Sequence, residues 1–361
     1  MNESTIANAT VVTPDGILKN AYVHVRDGII EDIGAATQTR SSLDCNEDFI
    51  LPGIVDLNTD NLEMHVAPRS NVRWPMLSAL LMHDAEVITA GITTTCDGLA
   101  VGESRYDKPQ RDVRREMLDE AISTVCESMQ ESLTRAEHFI HLRFDVSNDL
   151  IVGMFDRYID TERTRLVSLL DRRPQSEEDF TTVEGRAEAE RRNEARRTIA
   201  ARCRSLDIPI LSHDDRFAEE SRFNASIGVA VAEFPMTDEA TSEAHACGMK
   251  VAMGAPNVVR GGSQYSGNPS ATQLEGRGLL DLLCSDYVPF SMLQAVFLLH
   301  FKHALKLERA MHLVSGGPAA VAGFEDRGAI AVGKRADLLR VSVYGLQPIV
   351  RVVWRDGRRV A

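Results

Sequence analysis

The sequence predicts an α/β protein, a (β/α)8 TIM-like barrel with a small β-sandwich domain built from both termini. Three observations predict it. Eight apolar runs, most of them ending in polar residues, follow one another between residues 56 and 287. Helical patterns lie between these runs, and such repeated alternation indicates a parallel sheet that closes into a barrel. Both ends of the chain instead alternate apolar and polar residues between Asp-Gly turns.

The terminal segments come first in this scheme. Short strand patterns fill residues 1–50, and the pattern returns from about residue 325, with an Asp-Gly hairpin at Asp356-Gly357. We therefore expect residues 1–50 and 325–361 to form the β-sandwich domain and residues 51–324 to form the barrel. A chain of 361 residues has room for both.

The barrel elements follow from apolar runs and from helix punctuation. One helix is expected from Pro75 to just before Gly91, because proline suits a first turn and glycine follows many helix ends. Further helices are expected over about 111–139, within the charged stretch 176–204, and over about 290–307. The predicted strand ends are 56–60, 91–99, 141–145, 165–171, 208–215, 228–235, 250–257 and 282–287.

Composition excludes several classes of protein. A formal net charge of −13 argues against a nucleic-acid-binding surface, which needs a basic face. The chain has no apolar run as long as a membrane span and no signal peptide pattern, so we expect no membrane partner. Its six scattered cysteines lack a C-x-x-C pair, which is typical of reduced thiols in a cytoplasmic protein. None of these sequence features excludes a homo-oligomer.

Polar residues at the strand ends should converge on one barrel mouth. A polar residue that ends a strand is most often a cap or a turn former, but a set of carboxylates at one mouth needs a cation to neutralise it. We expect one or two divalent ions, Zn²⁺, Mn²⁺ or Mg²⁺, because the donors are mostly oxygens with an imidazole. The candidate metal ligands are Asn58, Asp60, Asp145, Asp171, His213 and Asp286.

The histidines are unequal candidates. His213 is the strongest, because it follows the apolar run IPIL within SHDD and should point into the mouth. A structural, hydrogen-bonded role is the alternative for it. His83 lies inside a predicted helix and is expected to be structural, whereas His141 fits either role.

Two segments suggest phosphate binding. Arg69 and Arg73 follow the first strand end, and Arg260, Gly261 and Gly262 lie in a glycine-rich loop after the seventh strand. Glycine lets backbone N–H groups approach anionic oxygens, and arginine offers a bidentate fork. A plain surface loop remains the alternative for the glycine-rich segment.

The motifs themselves resemble a known family. The segments ILPGIVDLNTD, TDNLEMH, HDAEVITAGITTTCDGL, RAEHFIHLR, MGAPNVVRGGSQYSGN and RGAIAVGKRADLL span nearly the whole chain in order. They resemble the amidohydrolase superfamily and, within it, the α-D-ribose 1-methylphosphonate 5-triphosphate diphosphatases of phosphonate catabolism. The resemblance implies a metal-dependent hydrolase that cleaves a phosphoanhydride of this small anionic substrate and releases pyrophosphate.

The resemblance also implies roles for individual residues. Asp60, His213 and Asp286 would be metal ligands or metal-linked bases, with Asp286 and His213 as the catalytic pair. Asp145 stands where the family has an acidic residue after HLR. Substrate contacts are expected from Glu63, Arg69, Arg73, Arg172, Asp214, Asn257, Arg260, Gly261 and Gly262.

Two positions depart from the family pattern. The family begins its first ligand motif with histidine where this chain has Asn58, and it follows the fourth strand with histidine where this chain has Arg172. An amide oxygen binds a divalent metal more weakly than imidazole, and arginine cannot bind one. The expectations are therefore a single metal, or Asp171 as a replacement ligand. The alternatives are a diverged enzyme acting on another phosphorylated or cyclic-amide substrate, and a catalytically impaired relative.

Overall fold

Two eight-stranded sheets organise the chain in the computed structural model. The structure describes residues 3–35, 42–69, 72–102, 112–159, 162–171 and 182–361, with the side chains of 112–116 left aside. Among the described helices, none is long and apolar enough to cross a membrane.

One sheet is the barrel, and all of its pairings are parallel. The last strand returns to the first through a parallel bridge between Thr59 and Asp286. The predicted barrel is confirmed. Its strands are β6 (Ile54–Thr59), β7 (Ile92–Val101), β8 (Glu137–Asp145), β9 (Thr164–Leu170), β10 (Ile210–His213), β11 (Val231–Glu233), β12 (Lys250–Gly254) and β13 (Leu282–Cys284).

The other sheet is mixed and takes strands from both ends of the chain, as the sequence predicts. Its strands lie within 3–52 and 338–359, and the limits of the two domains stay a prediction. Hydrogen-bonded neighbours follow the order β16 (Arg358–Arg359), β15 (Gln347–Arg355), β14 (Leu338–Tyr344), β5 (Phe49–Pro52), β1 (Glu3–Thr13), β2 (Gly16–Arg26) and β3 (Ile29–Ala35), and β4 (Leu43–Asp44) pairs with β1.

Gly53 joins this sheet to the barrel between β5 and β6. A Cβ at this position would lie 2.3 Å from Thr93 Oγ1. Only glycine therefore allows the chain to pass so close to β7, which fixes where the first barrel strand begins.

The helices surround the barrel or cover its ends. They are α1 (Asn61–Val66), α2 (Met76–Thr89), α3 (Asp112–Gln130), α4 (Ile151–Tyr158), α5 (Val183–Ser205), α6 (Ala218–Ser226), α7 (Asp238–Ala246), α8 (Ala255–Arg260), α9 (Ala271–Gly276), α10 (Ser291–His303), α11 (Leu307–His312) and α12 (Gly316–Val321). The helix expected after Pro75 is α2. The helix expected over 111–139 ends earlier, at Gln130, because residues from Glu137 onward pair with β7 as strand. The helix expected to reach 307 is broken at Ala304, which adopts a positive φ of 56°.

Side-chain alternation along the strands separates the barrel interior from its outer wall. Leu211 and Val231 belong to one apolar cluster inside the barrel, together with residues of most other strands. His213 and Glu233, two positions further along β10 and β11, therefore face the same interior nearer the C-terminal rim. Asp97 lies one position after Cys96, another member of that cluster, and so faces the outer wall.

Candidate active site at the barrel mouth

A cavity of about 460 Å³ opens at the C-terminal ends of the barrel strands. Six side chains that the sequence nominates line it, namely Asp60, His213, Asp214, Asn257, Arg260 and Asp286. Convergence of residues this distant in sequence is what a barrel mouth provides.

His213 is held in a defined orientation. Its Nδ1 lies 2.8 Å from Glu233 Oε2, so this nitrogen donates to the carboxylate. Glu233 is almost completely buried, whereas the His213 side chain keeps 14% of its surface exposed. Burial lowers the pKa of His213, but Asp214 and Glu233 outweigh it and raise that pKa. The Nε2 atom, 3.7 Å from Asp214 Oδ2, is left for a ligand.

Asp60 and Asp286 are held together by the backbone that closes the barrel. The Asp60 amide donates to the Asp286 carbonyl at 2.8 Å, and the Asp286 amide donates to the Asn58 carbonyl at 3.0 Å. Burial, followed by the neighbouring Asp60 carboxylate, raises the pKa of Asp286 to about 7. Two carboxylates therefore share one partly buried end of the cavity.

Asn58 is completely buried beside this pair. Within the described chain its Oδ1 and Nδ2 have no hydrogen-bond partner. Room for the side chain comes from Gly98 on β7, where a Cβ would lie 2.5 Å from Asn58 Oδ1. Buried amides are normally hydrogen-bonded, so an amide oxygen in this state is suited to a further ligand.

Arg143 is the main mouth residue that sequence reasoning missed. It projects from β8 into the interior, lines the cavity, and is only 3% exposed. Its Nη1 lies 2.6 Å from Asp60 Oδ1. Burial lowers the pKa of Arg143, but Asp60 and then Glu63 raise it above its ordinary value, so the charge is retained. Strand alternation is the sequence signal that indicates this residue, because Arg143 shares the inward parity of His141 and Asp145 on one strand.

The structure gives His141 a structural role. One ring nitrogen, Nδ1, donates to the Leu57 carbonyl at 2.9 Å, and Nε2 lies 2.5 Å from Ser168 Oγ. Burial lowers the pKa of His141 to about 4, so the ring is neutral. Both nitrogens are occupied, which leaves neither for a metal.

The mouth residues fit a divalent cation. Asn58 Oδ1 and Glu233 Oε1 are buried and have no hydrogen-bond partner in the described chain, and groups in this state commonly mark an ion or an ordered water. An imidazole whose other nitrogen binds a carboxylate is the usual arrangement of a metal-binding histidine. His213, Asp60, Asp286 and Asn58 together offer one nitrogen and several oxygens, a donor set suited to Zn²⁺ or Mn²⁺.

A second group of candidate ligands lies outside the barrel. The ligand atoms of His83, Asp97 and His138 all come within 4.8 Å of one another, and all three residues are buried. Asp97 lies 2.9 Å from both His83 Nε2 and His138 Nδ1, through different oxygens. This cluster, on the outer face of β7 and β8 against α2, fits a metal site and equally a hydrogen-bonded ion network.

The titration behaviour of that cluster follows from its charges. Burial lowers the pKa of His138, but Asp97 and Asp84 outweigh it and raise the value to about 9. Burial likewise opposes ionisation of Asp97, yet His138 and His83 hold the pKa of Asp97 well below its usual range. The sequence expects a structural His83 and has no expectation for His138, because the contact joins a helix to two strands.

Two predicted metal ligands form other contacts. Asp171 follows β9 and turns to the outer side, where its Oδ2 lies 2.8 Å from Arg192 Nε and 3.5 Å from Arg196 Nη2. These three residues line a separate cavity of about 470 Å³. Asp145 is buried at the end of β8, and its Oδ1 accepts from the Ser147 amide at 3.0 Å. The metal-binding roles of both residues stay predictions.

The arginines predicted to bind phosphate lie in different surroundings. Arg73 is exposed and forms an ion pair with Glu120 on α3, and Arg69 is exposed. Arg172 lies outside the described residues. Glu63 is buried on α1 and contributes to the electrostatics of Arg143.

The segment after β12, which begins with α8, lines the cavity. Asn257 fastens it, since Oδ1 accepts from the Ala271 amide at 2.9 Å and Nδ2 donates to the Pro269 carbonyl at 3.1 Å. Arg260 lines the cavity and donates to the Tyr287 hydroxyl at 2.8 Å. Gly261 and Gly262 adopt φ values of 82° and 154°, which side chains rarely tolerate.

Comparison with known proteins identifies the family. No family model matches the chain. A curated relative from Escherichia coli strain K12, alpha-D-ribose 1-methylphosphonate 5-triphosphate diphosphatase, is 34% identical over 98% of this chain and 99% of its own length. The chain belongs to this diphosphatase family. The resemblance in its motifs is thereby confirmed.

Solved structures place the diphosphatase family within a wider fold. An amidohydrolase matches with a TM-score of 0.69 at 13% identity, covering 99% of this chain and 98% of that one. The 5-methylcytosine deaminase of Klebsiella pneumoniae matches at 0.70 and 14% identity, covering 99% and 97%. The N-acetyl-D-glucosamine-6-phosphate deacetylase of Mycobacterium smegmatis matches at 0.69 and 15%, covering 99% and 100%. These likenesses show the amidohydrolase fold, and the diphosphatase relative supports a hydrolase.

Proposed function

We propose that this chain is a metal-dependent diphosphatase that hydrolyses a phosphoanhydride of α-D-ribose 1-methylphosphonate 5-triphosphate, or a close analogue, and releases pyrophosphate. The observation that carries the proposal is the 34% identity to the E. coli diphosphatase, which extends over 98% of the chain. The reaction would belong to phosphonate catabolism. A cytoplasmic location is part of the proposal and is supported by six cysteines that all remain free thiols.

The mouth supports an anionic substrate beside a cation. Asp60, His213, Asp286 and Asn58 would hold a divalent metal at the inner end of the cavity. When bound, the metal would supply Lewis-acid activation of water and of a phosphoryl oxygen. Arg260, the last residue of α8, also lines the cavity and would offer a cation to the triphosphate tail.

The residues of the chain would contribute in three ways. Asp286 would accept the proton of the attacking water, and its carboxylate lies at the cavity beside Asp60. Glu233 would keep the His213 ring fixed through the 2.8 Å hydrogen bond. Arg260 and loop N–H groups near Gly261 and Gly262 would stabilise negative charge on the phosphoryl oxygens.

The test is hydrolysis by purified protein loaded separately with Zn²⁺, Mn²⁺ or Mg²⁺. We expect pyrophosphate and the matching monophosphate in equal amounts from the triphosphate substrate. Asp286→Asn should reduce the rate by about 100-fold or more, as loss of a general base does. Lys250→Gln is the matched control, because Lys250 pairs with Asp281 on the exposed outer surface.

An asparagine as a metal ligand at position 58 favours one alternative to the proposed activity. A weaker ligand set would be compatible with a different substrate, so the same preparations should be profiled against other phosphorylated compounds and cyclic amides. Absence of pyrophosphate with every metal, combined with turnover of another substrate, would replace the proposed activity. Failure to retain any metal would instead favour a catalytically impaired relative.

A further inference from the structure

Arg143 carries donors that the protein itself does not use. Its Nη1 contacts Asp60, but Nε and Nη2 have no hydrogen-bond partner in the described part of the chain. Both atoms are buried, and the whole side chain is only 3% exposed. A buried ionised group with unmet donors is costly, so an acceptor is expected to complete it.

The buried Arg327 and the partly buried Arg335 show what a purely structural role looks like. The buried Arg192 also has Nε and Nη1 without a hydrogen-bond partner in the described residues, but it forms an ion pair with Asp171 away from the mouth. All three side-chain nitrogens of Arg335 donate to carboxylates, those of Asp337 and Glu137. Arg327 likewise uses all three nitrogens, on Asp326, Thr94 and Glu137. Neither residue lines the mouth cavity. Arg143 differs from both in being incompletely bound and in lining that cavity.

The charge around Arg143 indicates the sign of the missing partner. Asp60 occupies one edge of the guanidinium, while a metal held by Asp60, His213 and Asp286 would draw that carboxylate away toward itself. With Asp60 bound to a metal, the carboxylates left to balance the guanidinium would be those of Glu63 and Glu233. The planar fork of Arg143 matches two oxygens of a phosphate group.

We propose that Arg143 is an anion-binding residue of the mouth, whose free Nε and Nη2 hold a phosphate group of the substrate beside the metal. The inference rests on the proposed function for the identity of the substrate, but not for the anion site itself. Arg143 gives the mouth a fixed positive charge that needs no second metal.

The test measures binding of inorganic pyrophosphate to the manganese-loaded protein by calorimetry, in parallel with the metal content. Arg143→Gln keeps an N–H for Asp60 and should raise the dissociation constant by about 100-fold, since two charge-assisted hydrogen bonds are lost. Arg143→Lys keeps the charge and should raise it by about tenfold. Arg327→Gln is the matched control, since it removes a buried, paired arginine at the other end of β7 and β8, where Thr94 and Glu137 lie.

The outcomes separate this inference from the proposed function. If wild type binds pyrophosphate through Arg143 but releases none from the triphosphate, the anion site stands and the proposed activity falls. Unchanged binding in folded Arg143→Gln overturns the inference, as does a wild type that binds no pyrophosphate. Parallel loss of metal and pyrophosphate in both variants also overturns it, because Arg143 would then act only through the metal. If Arg143→Gln does not fold, Arg143→Lys decides.

Discussion

His213 and Glu233 form a partly buried pair that crosses from one barrel strand to the next, with Nδ1 2.8 Å from Oε2. The two residues are direct partners in the parallel register of β10 and β11. The strand pairing itself therefore fixes the orientation of the imidazole, and Nε2 is directed away from the carboxylate.

Changing Glu233 to Gln should weaken metal binding without removing a ligand. The amide can still accept a hydrogen bond but no longer balances charge on the ring, and loss of such a partner costs about 10- to 100-fold in metal affinity. Competition with a chelating dye measures the affinity. Glu243→Gln serves as the control, because Glu243 pairs with Arg222 on the surface. Equal affinity in Glu233→Gln and wild type would contradict a metal at His213.

Gly98 gives a steric test of the same site. A Cβ on Gly98 would lie 2.5 Å from Asn58 Oδ1 and 3.2 Å from Asp60 Oδ1, so Gly98→Ala must displace both side chains. We expect reduced metal content and destabilisation of roughly 1–3 kcal/mol, as for other overpacked interiors. Elemental analysis and urea unfolding provide the two readouts.

The matched control is Gly153→Ala in α4, where a Cβ would meet no atom within 4 Å. Alanine there should stabilise the protein by about 0.5–1 kcal/mol and leave the metal content unchanged. Full metal content in folded Gly98→Ala would show that Asn58 and Asp60 do not hold the metal.

Strand parity explains what the sequence could and could not predict about this site. The sequence predicts Asp60, His213 and Asp286 because each follows an apolar run at a strand end, where the barrel brings them together. The sequence predictions do not include Arg143, although it lies two positions from His141 and therefore faces the same side. Leu166 of β9 belongs to the interior cluster, so the same rule places Asp171, five positions later, on the outer wall.

The cluster of His83, Asp97 and His138 on the outer wall of the barrel can be recognised only from the tertiary structure. His83 comes from α2, Asp97 from β7 and His138 from β8, and only the packing of that helix on two neighbouring strands unites them. No spacing along the chain encodes such a contact. Likewise, the early end of α3 at Gln130 depends on pairing of β8 with β7, which local helical propensity cannot reveal.

The pH dependence of stability tests whether the cluster acts as an ion network. The pKa of His138 rises from 6.5 to about 9 on folding. Its contribution to stability is therefore complete below pH 6.5 and is lost as pH rises through 9. In chelator-treated protein, His138→Gln should cost on the order of 2 kcal/mol at pH 6 and much less at pH 10. Urea unfolding at both pH values measures the difference.

His312→Gln provides a control of opposite sign, because burial and then Arg309 lower the pKa of His312. Its stability difference from wild type should not shrink as pH rises. A His138→Gln cost that is the same at pH 6 and pH 10 would contradict a charged His138. A cost that appears only when metal is present would identify the cluster as a metal site instead.

Asp171 distinguishes a structural ion pair from a replacement ligand. Its carboxylate contacts Arg192, which is 4% exposed, so Asp171→Asn would leave a buried guanidinium with Glu188, 3.8 Å away, as its remaining carboxylate. Breaking a buried pair completely costs about 3–5 kcal/mol, so we expect a smaller loss of stability in urea unfolding together with unchanged metal content. Asp60→Asn should lose metal, since it removes a mouth carboxylate, and it should also destabilise the protein, because Asp60 pairs with the buried Arg143. If Asp171→Asn instead lost metal in proportion to Asp60→Asn, then Asp171 would have to rotate from the outer wall into the mouth, and the ligand set would include it.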